Sequence, residues 1–126
     1  MKHIVATKKA PAAVGPYNQA IVAGDFVFCS GQIPIDPETG AMVNGGFAEQ
    51  TEQVLKNVSA VLSAENLTLL NVVKATVFAT DMAAFPVVNE VYARFFASEP
   101  PARSFVQVGA LPKGALVEIE VIAYKG

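Results

Sequence analysis

A chain of 126 residues is long enough for one domain and too short for two ordinary ones, so a single domain over residues 1–126 is expected. Apolar types supply 52% of it and charged residues only 16%, which excludes a disordered chain and predicts a homo-oligomer, since so little charge leaves apolar surface to cover. The formal net charge of −2 comes with scattered lysines and no basic patch, so nucleic acid is not an expected partner.

Residues 1–5 are too short and too soon polar for a signal peptide. No apolar run approaches the roughly 18 residues of a spanning helix, so a cytoplasmic protein without membrane contact is expected. Segments 19–23 and 26–30 are short apolar runs separated by Gly24-Asp25, which predicts a β-hairpin. The single cysteine, Cys29, falls in that hairpin and reads as a small buried hydrophobe; one cysteine permits no internal disulfide and fits a reducing compartment. Residues 31–46 read as a loop, with Asp36-Pro37-Glu38-Thr39-Gly40 as a tight turn.

From 47 to 62, Phe47, Val54, Leu55, Val58, Val61 and Leu62 recur at helical spacing, with Glu49, Glu52, Gln53 and Lys56 on the other side. Residues 72–80 are β-branched and apolar, which predicts a strand buried on both faces. A second helix follows, with Pro86 in its first turn and a stripe of Val88, Val91, Tyr92, Phe95 and Phe96, ended by Pro100-Pro101. Strands over 103–109 and 116–124 are joined by a loop holding Leu111-Pro112-Lys113-Gly114. The order predicts an α+β fold: a mixed sheet with two helices on one face and subunit contacts on the other.

The usual covalent and metal routes find little support. One His and one Cys cannot supply a typical zinc or iron ligand set. Ser30 has only His3, near a chain end, as a candidate base, and no Gly-x-Gly-x-x-Gly or Walker-type loop is present. Charged residues in apolar strands are what remain. Arg94 lies off its helix stripe and reads as solvated, whereas Arg103 opens a strand after Pro100-Pro101-Ala102. There its fork of donors suits a carboxylate or phosphate, or else a structural ion pair.

Glu118 and Glu120, two apart in an apolar strand, share a face. Two readings stand for them. Either one pairs with Arg103 while the other has a raised pKa as an acid/base group, or they mark a solvated sheet edge. Tyr17, after Gly15-Pro16, either packs or contacts a ligand. Asn89, beside the second helix's stripe, is open between capping, packing and ligand contact.

Pro101-Ala102-Arg103-Ser104, Leu111-Pro112-Lys113-Gly114 and Val117-Glu118-Ile119-Glu120 together resemble the C-terminal signature of the reactive-intermediate deaminase (RidA) family. Pro11-Ala12-Ala13-Val14-Gly15-Pro16-Tyr17 and Ser30-Gly31-Gln32-Ile33-Pro34 match its other two motifs. The resemblance implies a chorismate-mutase-like α+β fold, a homotrimer with sites between subunits, and no cofactor. It implies hydrolysis of enamine and imine acids, such as 2-aminoacrylate/2-iminopropanoate and 2-iminobutanoate, to 2-keto acids and ammonia.

By the same resemblance, Arg103 holds the substrate carboxylate and Glu118 activates water. Tyr17, Ser30, Gly31 and Asn89 line the pocket, and the Phe105 backbone contacts substrate. Phe105 stands where many relatives have Cys, and no role follows for Glu120. The rival readings are a non-catalytic carboxylate-binding or chaperone-like trimer and an endoribonuclease. The acidic balance and the lack of a catalytic His argue against the endoribonuclease.

Overall fold

The computed structural model describes residues 1–126. Its strands are β1 (His3–Val5), β2 (Ala20–Ala23), β3 (Phe26–Gln32), β4 (Val72–Ala79), β5 (Ala102–Gln107) and β6 (Val117–Tyr124). Its helices are α1 (Phe47–Ser63) and α2 (Phe85–Phe95). The six strands form one sheet in the order β1-β2-β3-β6-β4-β5, and no helix is long and apolar enough to cross a membrane.

The expected hairpin is present, with Ala23 opposite Phe26 and Gly24 supplying a φ of +59° in the two-residue turn. β1 adds an edge strand that the residue pattern did not announce, because three residues carry no readable alternation. β3 also runs further than expected, taking Gly31 and Gln32 out of the loop, with an irregularity in its pairing to β6 between Cys29 and Gln32. β4 and β5 are parallel, as strands joined by a helix must be to lie side by side, while the other pairings are antiparallel. The sheet is mixed, as the element order implied.

α1 begins where Glu49 turns back to accept from the Gly46 N–H at 2.8 Å, which holds its carboxyl below the usual glutamate value. Its inner face, Val54, Leu55, Val58, Val61 and Leu62, is fully buried against the sheet. α2 packs against α1 and buries Val88, Val91 and Tyr92. It stops at Phe95, well before Pro100, so those prolines restrict the following segment rather than terminate the helix.

β4 alternates. Val72, Ala75, Val77 and Ala79 are buried beneath the helices, while Lys74, Thr76 and Phe78 on the other face are only half-buried. The expectation of burial on both faces is corrected for the single chain, since both helices lie on one side. The open face carries Phe26, Phe28 and Tyr124, all exposed, with the Phe26 ring 5.3 Å from Tyr124 and 6.4 Å from Phe28.

Cys29 lies on the helix side, 7% exposed, and burial pushes its thiol up to about 12. A thiolate is the reactive form, so Cys29 is expected to resist iodoacetamide at pH 8 in the folded chain and to react once guanidinium opens it. Native labelling at the rate of a free thiol, followed by mass spectrometry, would show that this part of the core is not closed.

Candidate active site

Two groups of candidate residues form, on opposite faces of the sheet. On the helix side, Arg103 lies opposite Ala75 and Phe105 opposite Val77, so both project towards α2. Arg103 Nη1 donates to Asn89 Oδ1 at 2.7 Å. Three rings surround the guanidinium, whose carbon lies 4.8 Å from the Tyr92 centroid, 5.4 Å from Phe105 and 5.6 Å from Phe85. Such contacts contribute about 0.5–2 kcal/mol each, more as water is excluded.

Burial raises the Tyr92 phenol pKa and Arg103 opposes that shift, while its hydroxyl has no hydrogen-bond partner. None of the chain's ion pairs uses Arg103; they join His3 and Lys125 to Glu65, and Lys56 to Glu52. Asn89 takes one of the five N–H donors of the fork, and the chain supplies no hydrogen-bond partner for the others.

On the open side, Glu118 lies opposite Phe78 and Glu120 opposite Thr76. An ion pair of either acid with Arg103 inside one chain is therefore corrected: side chains on opposite faces of one sheet cannot meet through it. The Glu118 carboxylate rests on the backbone of Gly31. A Cβ at Gly31 would overlap Glu118 Oε2 and come within 2.8 Å of Cδ. Glycine is there because any other residue would displace the acid. Burial raises the Glu118 pKa, and the nearby Glu120 charge raises it further.

Gly31 also borders a pocket of about 270 Å³ together with Tyr17, Gln32, Pro112 and Lys113. Tyr17 is 49% exposed, and its hydroxyl accepts from the Val14 N–H at 3.2 Å, so its ring belongs to the pocket wall rather than the core. Lys113 holds a left-handed backbone, φ +57°, at the rim. Ser30 donates its hydroxyl to the Asn18 carbonyl at 2.6 Å beside Gly31. Thus Gly31 links Glu118, which lies against it, to Tyr17 and Ser30, while Asn89, Arg103 and Phe105 form a separate group.

Three buried amides that sequence reasoning passed over hold this region in place. Gln19 donates to the carbonyls of Thr7, Ala10 and Pro11 at 2.7–3.3 Å. Asn57 donates to those of Ile33 and Ile35, and Gln50 accepts from the Leu116 N–H. The available signal was Gln50 and Asn57 flanking the apolar stripe of α1, where a buried polar group must find partners.

The family model described as Endoribonuclease L-PSP matches residues 7–125. A RutC family protein of Pyrococcus horikoshii is 52% identical over 99% of both chains. The human 2-iminobutanoate/2-iminopropanoate deaminase is 45% identical over 100% of this chain and 92% of its own. The crystal structure of E. coli TdcF with bound serine matches with a TM-score of 0.94 at 42% identity, covering 98% of this chain and 99% of that one.

Because folding raises the Glu118 pKa, the neutral acid is favoured in the folded chain. Its effect is harmless below the ordinary value of 4.5 and becomes destabilising as pH rises through the raised one. Glu118→Gln is therefore expected to raise Tm by about 1–3 °C at pH 8, modest because the group is only half out of water, and by nothing at pH 4. An equal gain at both pH values, followed by circular dichroism, would contradict the burial of this carboxylate.

Proposed function

The chain belongs to the endoribonuclease L-PSP family, which is the RidA family, and from that premise we propose that it hydrolyses 2-imino acids such as 2-iminopropanoate and 2-iminobutanoate to 2-keto acids and ammonia. The observation that carries the reading is Arg103, a half-buried cation oriented by a neutral amide and three rings, with no carboxylate of its own chain. Relatives named for this reaction, the human protein among them, support it, as does a relative crystallised with serine, an amino acid bearing the same carboxylate.

The free edge of the fork binds the substrate carboxylate in a planar bidentate pair. The protonated imine is already electrophilic at C2, so the remaining need is an oriented water and a proton relay. Glu118 takes a proton as water oxygen bonds to C2 and the C=N π pair moves to nitrogen. The resulting carbinolamine receives that proton on nitrogen. The C–N bond then breaks, the oxygen's lone pair forms the carbonyl, and the hydroxyl proton leaves with the ammonia as ammonium. A carboxyl with a raised pKa suits both taking and returning that proton.

Arg103 and Glu118 occupy opposite faces, so this chemistry needs a second copy: Arg103 of one protomer beside Glu118 of the partner subunit. Two different patches then meet at every contact. Because those patches lie on opposite faces of the sheet, the contact runs head to tail and closes as a ring, of which a trimer is the smallest. The exposed Phe26, Phe28 and Tyr124 provide apolar surface on the open face for that assembly.

Coupling the protein to a threonine dehydratase and following imine decay tests the proposal. Acceleration over buffer is expected. Glu118→Ala is expected to lower kcat by about 10²–10⁴-fold while pyruvate still binds, whereas Arg103→Ala weakens pyruvate binding by about 10–100-fold. Binding without any acceleration would leave a carboxylate-binding trimer. RNA cleavage that survives Arg103→Ala would favour the endoribonuclease activity in the family's description.

A further inference from the structure

Two of the rings around Arg103 have a second capacity. Phe85, at the start of α2, meets Phe105 edge to face, with centroids 4.8 Å apart and planes at 68°. Phe105 is half-buried and packs against the core, which fixes one ring of the pair. Phe85 is 38% exposed, so the pair presents an apolar surface to solvent next to the guanidinium. Asn89 and Tyr92, the nearest of the three rings, already grip the fork, so Phe85 and Phe105 can face a ligand as well as the guanidinium. A large apolar surface left half in water beside an unpaired cation is suited to a ligand that is acidic at one end and apolar at the other.

Resting on the deaminase reading, we propose that Phe85 and Phe105 form the wall that selects the substrate side chain, favouring 2-imino acids with a bulky apolar substituent over those with a methyl or charged one. The argument is geometric. A carboxylate paired with the fork lies in the guanidinium plane, and its C2 follows on the same axis. The two ring centroids lie 5.4 and 5.6 Å from the guanidinium carbon. A methyl on C2 stays close to that axis, whereas a branched chain of three or four carbons spreads far enough to pack on the rings. A second carboxylate would be stripped of water against two phenyl faces.

The probes are 2-keto acids, which share the carboxylate, C2 and side chain of the imines and are stable. Calorimetric titration of the full chain with pyruvate, 4-methyl-2-oxopentanoate and 2-oxoglutarate is expected to show the branched acid binding about tenfold or more tightly than the other two. Phe85→Ala, at an exposed ring, is expected to reduce the branched-to-methyl ratio about fivefold or more, and Phe105→Ala to do the same.

Ratios unchanged in both variants, or equal weakening of all three acids, would overturn the wall; equal weakening would mean that the rings only support Arg103. Turnover of imines generated from leucine and alanine by an amino-acid oxidase separates the two claims. If neither imine decays faster than in buffer, the deaminase reading fails while the binding ratios still decide the wall. If both decay faster at a ratio that neither variant changes, the wall fails and the reading stands.

Discussion

A cation held half out of water with no acid in its own chain to answer it is the constraint on which the site depends. Burying a guanidinium without a counter-charge is expensive unless its donors and faces are otherwise occupied. Here the faces are taken by Phe85, Tyr92 and Phe105 and one donor by Asn89. The remaining donors have no partner in the chain. That arrangement orients the fork without satisfying it, and it is reached with side chains from only two elements, α2 and β5.

The same sheet that positions Arg103 keeps Glu118 away from it. Alternation along β5 sends Arg103 and Phe105 to the helices, while alternation along β6 sends Glu118 and Glu120 to the open face. Within one chain, Arg103 and the two acids are therefore separated by the thickness of the sheet. The open face that carries the acid also exposes Phe26, Phe28 and Tyr124. One feature of composition, too little charge to cover the surface, and one feature of topology, helices on a single side, thus leave the same face apolar and uncovered.

Much of this was legible in the residues. The hairpin at Gly24-Asp25 and the helix from Phe47 follow from turn chemistry and period alone. So does the buried stripe of Val88, Val91 and Tyr92. Arg103 and the pair Glu118 and Glu120 stood out as charges in apolar strands. What could not be read was which face each charge takes. Face depends on register between strands far apart in sequence, and a shift of one residue reverses it. The same ignorance made β4 look buried on both sides, because Val73, Thr76 and Phe78 are apolar or β-branched although only one face lies under helices. β1 was too short to show any period, and the buried amides of Gln50 and Asn57 looked like ordinary polar helix positions until their loop partners were in place.

The choice of Asn at position 89 is the finest of these details. An acid there would form a charge-assisted pair with Arg103, holding the fork more tightly but cancelling much of its field. A side chain with no acceptor would leave the guanidinium free to swing between rotamers, and a ligand would then have to pay the ordering entropy. The amide oxygen gives direction at 2.7 Å and adds no charge. Gly31 follows the same logic on the other face, where the lack of a Cβ lets the Glu118 carboxylate settle on the backbone, partly shielded from water and beside the Glu120 charge. One residue preserves a positive charge for use and the other keeps an acid easy to protonate. Each does so by what its side chain leaves out.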